Sequence, residues 1–228
     1  MSLITLFVAI LPGVLICYYI NHLDKYEKEP KGLLVKSFIW GMMSAFPALL
    51  GQLFFKGLHL EGGLGYELLF AFAIVGVTEE CSKFFFLRYL AYPKEDFNEP
   101  TDGIVYAVMI GMGFATLENV LYSLSDGFGT AIARGLTAVP AHGAFAVLMG
   151  AYVGLSKFNP DKRVQLQLTG LILAILFHGA YDFFLLEKDY GNFTVLSIFI
   201  LFTAVLIARQ LIRRNDDLSP FKPKDNHV

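Results

Sequence analysis

Seven stretches of the 228-residue chain are apolar enough, for long enough, to cross a bilayer. A hydrocarbon core of roughly 30 Å takes about 20 helical residues. The stretches at 3–22, 33–57, 66–90, 103–124, 129–155, 167–186 and 193–212 each supply about that many. Polar connections between them are short. The first stretch has no basic segment before it and no small-residue cleavage signature after it, so it is expected to be a retained span and not a leader. The pattern predicts an all-α, polytopic membrane bundle of about seven transmembrane helices. No internal repeat is visible, and the reading is one transmembrane domain over 1–212. A polar tail at 213–228 (RRNDDLSPFKPKDNHV) is expected to be mobile and cytoplasmic.

Composition agrees. Hydrophobic residues make up 55% of the chain and charged ones 17%, against about 25% charged in an ordinary soluble domain, and the mean hydropathy is +0.55. A disordered chain is excluded. So is a disulfide-stapled secreted domain, because the two cysteines, Cys17 and Cys81, lie within apolar runs. The same composition excludes a basic nucleic-acid binder, so the expected surroundings are membrane lipid, with no nucleic acid; the net charge of −2 adds nothing, because the charges are segregated along the chain.

Lys and Arg in short connections orient a membrane protein. Fourteen basic residues fall on one side: Lys25, Lys28, Lys31 and Lys36 after the first span, Arg88 and Lys94 after the third, Lys157, Lys162 and Arg163 after the fifth, and Arg209, Arg213, Arg214, Lys222 and Lys224 at the end. Lys56 and Lys188 are alone on the other. The expected orientation is N-terminus outside and C-terminus cytoplasmic. Asp24, Tyr26, Glu27 and Glu29-Pro30 then read as a solvated cytoplasmic loop.

Ionisable groups inside the spans are the candidate chemistry: Glu79, Glu80, Lys83, Glu118, Arg134, His142, His178 and Asp182. Each costs several kcal/mol at the bilayer centre unless it is paired, so such groups face a bundle interior and mark function by default. At about 100° per residue, Glu80 lies about 100° and Lys83 about 40° from Glu79, in one sector. Cys81, at about 200°, faces away, which argues against a Cys–His nucleophile. At about 1.5 Å rise per residue, Glu79 lies roughly 20 Å from the outer end of its span. His142 is at similar depth and His178 roughly 12 Å in, so the three can meet in one layer. Glu118, Arg134 and Asp182 fall about 6–9 Å in by the same rise. This describes a polar cavity opening outward above an acid–imidazole layer, with Asp182 one turn beyond His178 and able to orient its ring. Blander readings exist for each: a packing ion pair at Glu79 and Lys83, hydrogen-bonded core histidines, a cap at Glu118-Asn119, and Arg134 snorkelling to headgroups.

DKYEKEP (24–30), EECSK (79–83), DGIVYA (102–107), FATLEN (114–119), PAHGAF (140–145) and HGAYD (178–182), in this order, resemble the PrsW family of intramembrane proteases, relatives of the type II CAAX prenyl endopeptidases. The resemblance runs from about residue 10 to 185. It implies an intramembrane peptidase in a bacterial cell membrane, acting on a single-pass protein. It further implies a site-1-type cut of an anti-sigma factor near the extracytoplasmic side. Carried over, Glu79 and Glu80 match the essential glutamate pair, Phe114 and Glu118 the second motif, and His178 and Asp182 the third. The prenyl endopeptidases have His where this chain has Glu118, and His142 is a candidate replacement.

Two mechanisms stay open. Glu79 or Glu80 is the general base while His142 and His178 polarise the carbonyl, or Glu79, His142 and His178 hold a zinc ion and the other glutamate is the base. Lys83, Glu118, Asn119, Arg134 and Asp182 are expected to support these groups. Buried charges also build proton- or ion-coupled transporters, although no inverted repeat is visible. A third reading is a non-catalytic scaffold that binds partner helices through small residues such as Gly41, Gly111, Gly113 and Gly150.

Overall fold

The structure, a computed structural model, describes residues 1–56, 63–186 and 194–223, and these are almost wholly helical. Lys188 and Lys224 of the charge pattern lie outside the described residues. Six helical stretches are long and apolar enough to span a membrane: Leu3–Leu23, Lys31–Lys56, Pro100–Asp126, Phe128–Lys157, Pro160–Leu185 and Thr194–Asp217. The remaining predicted span, 66–90, is helical but composite. It runs as α3 (Leu64–Leu68), a π-helical segment Leu69–Gly76, α4 (Val77–Phe86) and a second π segment Leu87–Ala91. The other elements are α1 (Leu3–Leu23), α2 (Lys31–Lys56), α5 (Pro100–Asp126), α6 (Phe128–Leu136), α7 (Ala138–Lys157), α8 (Arg163–Leu186) and α9 (Thr194–Asp217). α6 and α7 together make the fifth predicted span. They part at Thr137 because Pro140 has no N–H, and its ring meets the carbonyl one turn back.

α5 and α7 form the centre, with α1, α2, α8 and α9 around them. The central pair packs backbone to backbone. A Cβ on Gly103 would overlap the Gly150 carbonyl, and one on Gly154 the Pro100 carbonyl. Gly41 and Gly113 do the same for α2 against α5, and Gly111 abuts Ala146. The small residues of the scaffold reading are therefore spent inside the bundle, where close approach needs them.

Two expectations need correction. The connection after α1 is not a solvated loop: Asp24 is 1% and Glu29 5% exposed, with Tyr26 and Glu27 half-buried. It lies over the first two turns of α5, where Tyr106 donates to Glu29, while Lys28 donates to the α1 end carbonyls of Asn21 and His22. The tail from 213 likewise begins inside α9. Asn215 and Asp216 are buried, Asn215 Nδ2 donates to the carbonyls of Pro100 and Ala151 at 3.1 Å, and Ser219 donates to Glu99.

Candidate active site

The composite third span delivers the glutamate pair. Its π segment ends at Gly76, where a Cβ would lie 3.3 Å from the Ile175 carbonyl of α8. The facing Gly179 has no room for one against Phe72. These two glycines let the third span lie directly on α8, one turn from His178. Thr78 closes the π-to-α junction by donating its hydroxyl to the Ile74 carbonyl at 2.6 Å.

From there the polar groups connect without a gap. Lys83 Nζ lies 2.7 Å from Glu80 Oε1 and 3.4 Å from Glu79 Oε2, the shared sector expected from helical geometry. It also reaches His142 Nδ1 at 3.2 Å and sits 4.0 Å from the Phe114 ring centroid. Glu80 Oε1 is 2.7 Å from His178 Nδ1. His178 Nε2 is 3.3 Å from Asp182 Oδ2 and 3.8 Å from Glu79 Oε2. Glu118 Oε2 accepts from Arg134 at 2.6 Å and lies 3.1 Å from His142 Nε2. Cys81 is exposed, on the far side.

Glu118 and Arg134 thus do not form a separate outer layer. Their side chains reach down to His142, and Arg134 does not snorkel: it pairs with Glu118 and lies 4.0 Å over the Tyr122 ring. Asn119 points elsewhere. Fully buried, it donates to the Ala9 carbonyl at 3.0 Å and ties α5 to α1. Asp182 shares the orienting of His178 with Glu80, which is closer.

The two glutamates differ in what they face. Glu79 lines a polar cavity of about 130 Å³ together with Glu118, Arg134, His142, His178 and Asp182. Glu80 lies behind it, against Lys83 and His178. Glu79 also forms the floor of an apolar slot of about 290 Å³ between α2 and α5, walled by Ala45, Leu49, Leu117 and Leu121. Phe46, Leu49 and Leu121 are exposed on the apolar outer surface there. Sequence reasoning missed three wall residues. Gln52 donates to Glu79 Oε1 at 3.1 Å, and Tyr122 and Tyr181 line the cavity. Gln52 could have been found by extending the search for charges in apolar runs to amides.

One ligand atom from each of Glu79, His142 and His178 falls within 4.8 Å of the others, all three residues being buried. Two imidazoles and a carboxylate are a usual catalytic zinc set. Each ring is held at one nitrogen by a carboxylate, His142 Nε2 by Glu118 and His178 Nδ1 by Glu80, as metal-ligating histidines usually are. The donor set fits an ion. Lys83 then has to release His142 Nδ1, and Asp182 has to release His178 Nε2.

The profile of a family described as PrsW family intramembrane metalloprotease matches residues 29–208. Curated relatives named "Protease PrsW" include one from Geobacillus kaustophilus (strain HTA426), 38% identical over 86% of this chain and 86% of the relative. Another, from Bacillus subtilis (strain 168), is 37% identical over 77% and 80%, and one from Clostridioides difficile (strain 630) is 32% identical over 88% and 87%. No solved structure matches.

Proposed function

Because the chain belongs to the PrsW family of intramembrane metalloproteases, and is thus a multi-pass membrane peptidase, we propose that it cuts a single-pass membrane protein near the extracytoplasmic side. The substrate class is an anti-sigma factor or similar regulator, and the cut is of the site-1 type. The observation that carries this reading is an apolar slot, bordered by outward-facing side chains, that ends on Glu79 of the acid–imidazole cluster. A substrate helix entering between α2 and α5 would leave lipid only where its backbone meets Glu79. The basic residues clustered on the opposite side support an outside N-terminus.

Glu79, His142 and His178 would hold a zinc ion. When bound, the ion polarises the scissile carbonyl and lowers the pKa of its water towards about 7. Glu118 and Glu80 fix the ring nitrogens they touch, leaving His142 Nδ1 and His178 Nε2 turned inward. Arg134 holds Glu118, Lys83 neutralises the glutamate pair, and Gln52 positions Glu79. Phe114 and Phe145 wall the histidines from lipid.

The test is membrane proteomics of cells carrying the wild type or Glu79→Gln. The expected result is one single-pass protein whose outer domain is shortened only with the wild type. Ala45→Trp, which fills the slot without touching the polar cluster, should slow that cut more than roughly tenfold, since one misplaced ångström costs about 10²-fold. No shortened protein, or a cut confined to the cytoplasmic side, would overturn the reading.

A further inference from the structure

The DKYEKEP segment takes no part in the site above, yet its acids are buried. Asp24 and Glu29 converge with Glu99 and Asp102, all at most 5% exposed. Asp102 is sixteen residues, about 24 Å, along α5 from Glu118. The carboxyl of Asp24 faces that of Glu99, and the carboxyl of Glu29 faces that of Asp102. Some oxygens are satisfied: Tyr106 donates to Glu29 Oε2, Ser219 to Glu99 Oε2, and the Asn98 and Glu99 amides to Asp102 Oδ2. Others have no partner unless a proton is shared within each facing pair. Both oxygens of Asp24, Oε1 of Glu29 and Oδ1 of Asp102 are buried without a hydrogen bond.

Nearby cations do not fill this need. Lys25 is on Asp216, at 3.1 Å, and Lys28 is committed to the backbone carbonyls of Asn21, His22 and Asp24. Among the described residues no Lys or Arg forms an ion pair with Asp24, Glu29, Glu99 or Asp102. Burial, reinforced by Asp102 and Asp216 and opposed by Lys28, pushes the Asp24 carboxyl up to about 6. Burial and the neighbouring carboxyls push Glu99 up to about 7. Lys28 acts on Asp24 and Lys157 on Asp102, but both ammonium groups donate to backbone carbonyls, so among the described residues no cation is paired with these acids.

We propose that Asp24, Glu29 and Asp102, with Glu99 beside them, form a binding site for a hard divalent cation of the magnesium or calcium type. Unpartnered buried acceptors on acidic residues require a counter-charge, and an all-oxygen donor set without His or Cys selects hard cations over zinc. The ion would clasp three segments distant in sequence: the connection after α1, the start of α5 and, through Ser219 on Glu99, the chain following α9. The site is independent of the proteolytic reading.

The test uses the purified full-length protein in detergent after treatment with a chelator. Terbium(III), an oxygen-seeking probe, should bind and emit on excitation through Tyr106, and Mg²⁺ or Ca²⁺ should displace it, the more effective ion naming the occupant. The same ion should raise the unfolding temperature by several degrees. Asp24→Asn and Glu29→Gln should each need at least tenfold more cation, whereas Tyr106→Phe should weaken the emission, Tyr26 lying in the same segment, and keep the thermal response. Glu79→Gln, which disables the membrane-buried site, should leave both readouts intact. The proposal is overturned by absent terbium emission, by an unfolding temperature indifferent to cations, or by an unchanged response in Asp24→Asn. A stabilised Asp24→Asn protein with no cation effect in the wild type would also overturn it, pointing to shared protons.

Discussion

Glu79→Gln is expected to lower the rate at which the shortened substrate accumulates by at least about 10³-fold, because it removes the carboxylate that would hold the metal with His142 and His178 or, without a metal, activate water. The protein should remain inserted and folded, because Gln keeps the size of the side chain and its bond to Gln52. Glu80→Gln should cost less, about 10–100-fold, the usual penalty for removing a group that orients a ligand or catalytic histidine. The asymmetry follows from position. Glu79 lines both the cavity and the slot, whereas Glu80 sits behind, between Lys83 and His178 Nδ1. Equal losses in the two variants would contradict this division, and wild-type turnover by the double variant would end the assignment of the pair altogether.

Purified protein is expected to contain about one zinc per chain, and a strong chelator should remove both the metal and nearly all activity. His142→Ala and His178→Ala should each lose the metal, because each supplies one of the three converging ligand atoms. Asp182→Asn should retain it with weaker affinity, since Glu80 still holds the His178 ring. Elemental analysis alongside activity before and after chelation decides the point. Full activity in metal-free protein would leave Glu79 as the base that activates water directly.

Much of this arrangement can be read from the residues alone, for identifiable reasons. Span length is a property of hydropathy, so the predicted 3–22 and 103–124 lie close to Leu3–Leu23 and Pro100–Asp126. The common sector of Glu79, Glu80 and Lys83 follows from the turn of one helix. Depth counting was less reliable, because backbone rise ignores side-chain reach: Glu118 and Arg134 extend down to His142 and merge two expected layers. The buried Asp24 and Glu29 were illegible for another reason. What covers them, Tyr106 and the turn from Glu99 to Asp102, lies seventy or more residues away in the chain, beyond any local pattern.

The π-helical stretch Leu69–Gly76 makes the aim of the glutamate pair a matter of counting residues. In such a stretch each amide bonds one residue further back than in an α-helix, and these segments recur at functional sites. Removing one residue from the regular helix between that stretch and Glu79 would shorten the span by only about 1.5 Å, while turning Glu79 by about 100°. Insertion into the bilayer depends on hydropathy and would hardly register the loss, yet Glu79 would swing out of the cavity. Homologous sequences should therefore vary freely in which apolar residues they place before the EExxK motif, and tolerate almost no change in how many.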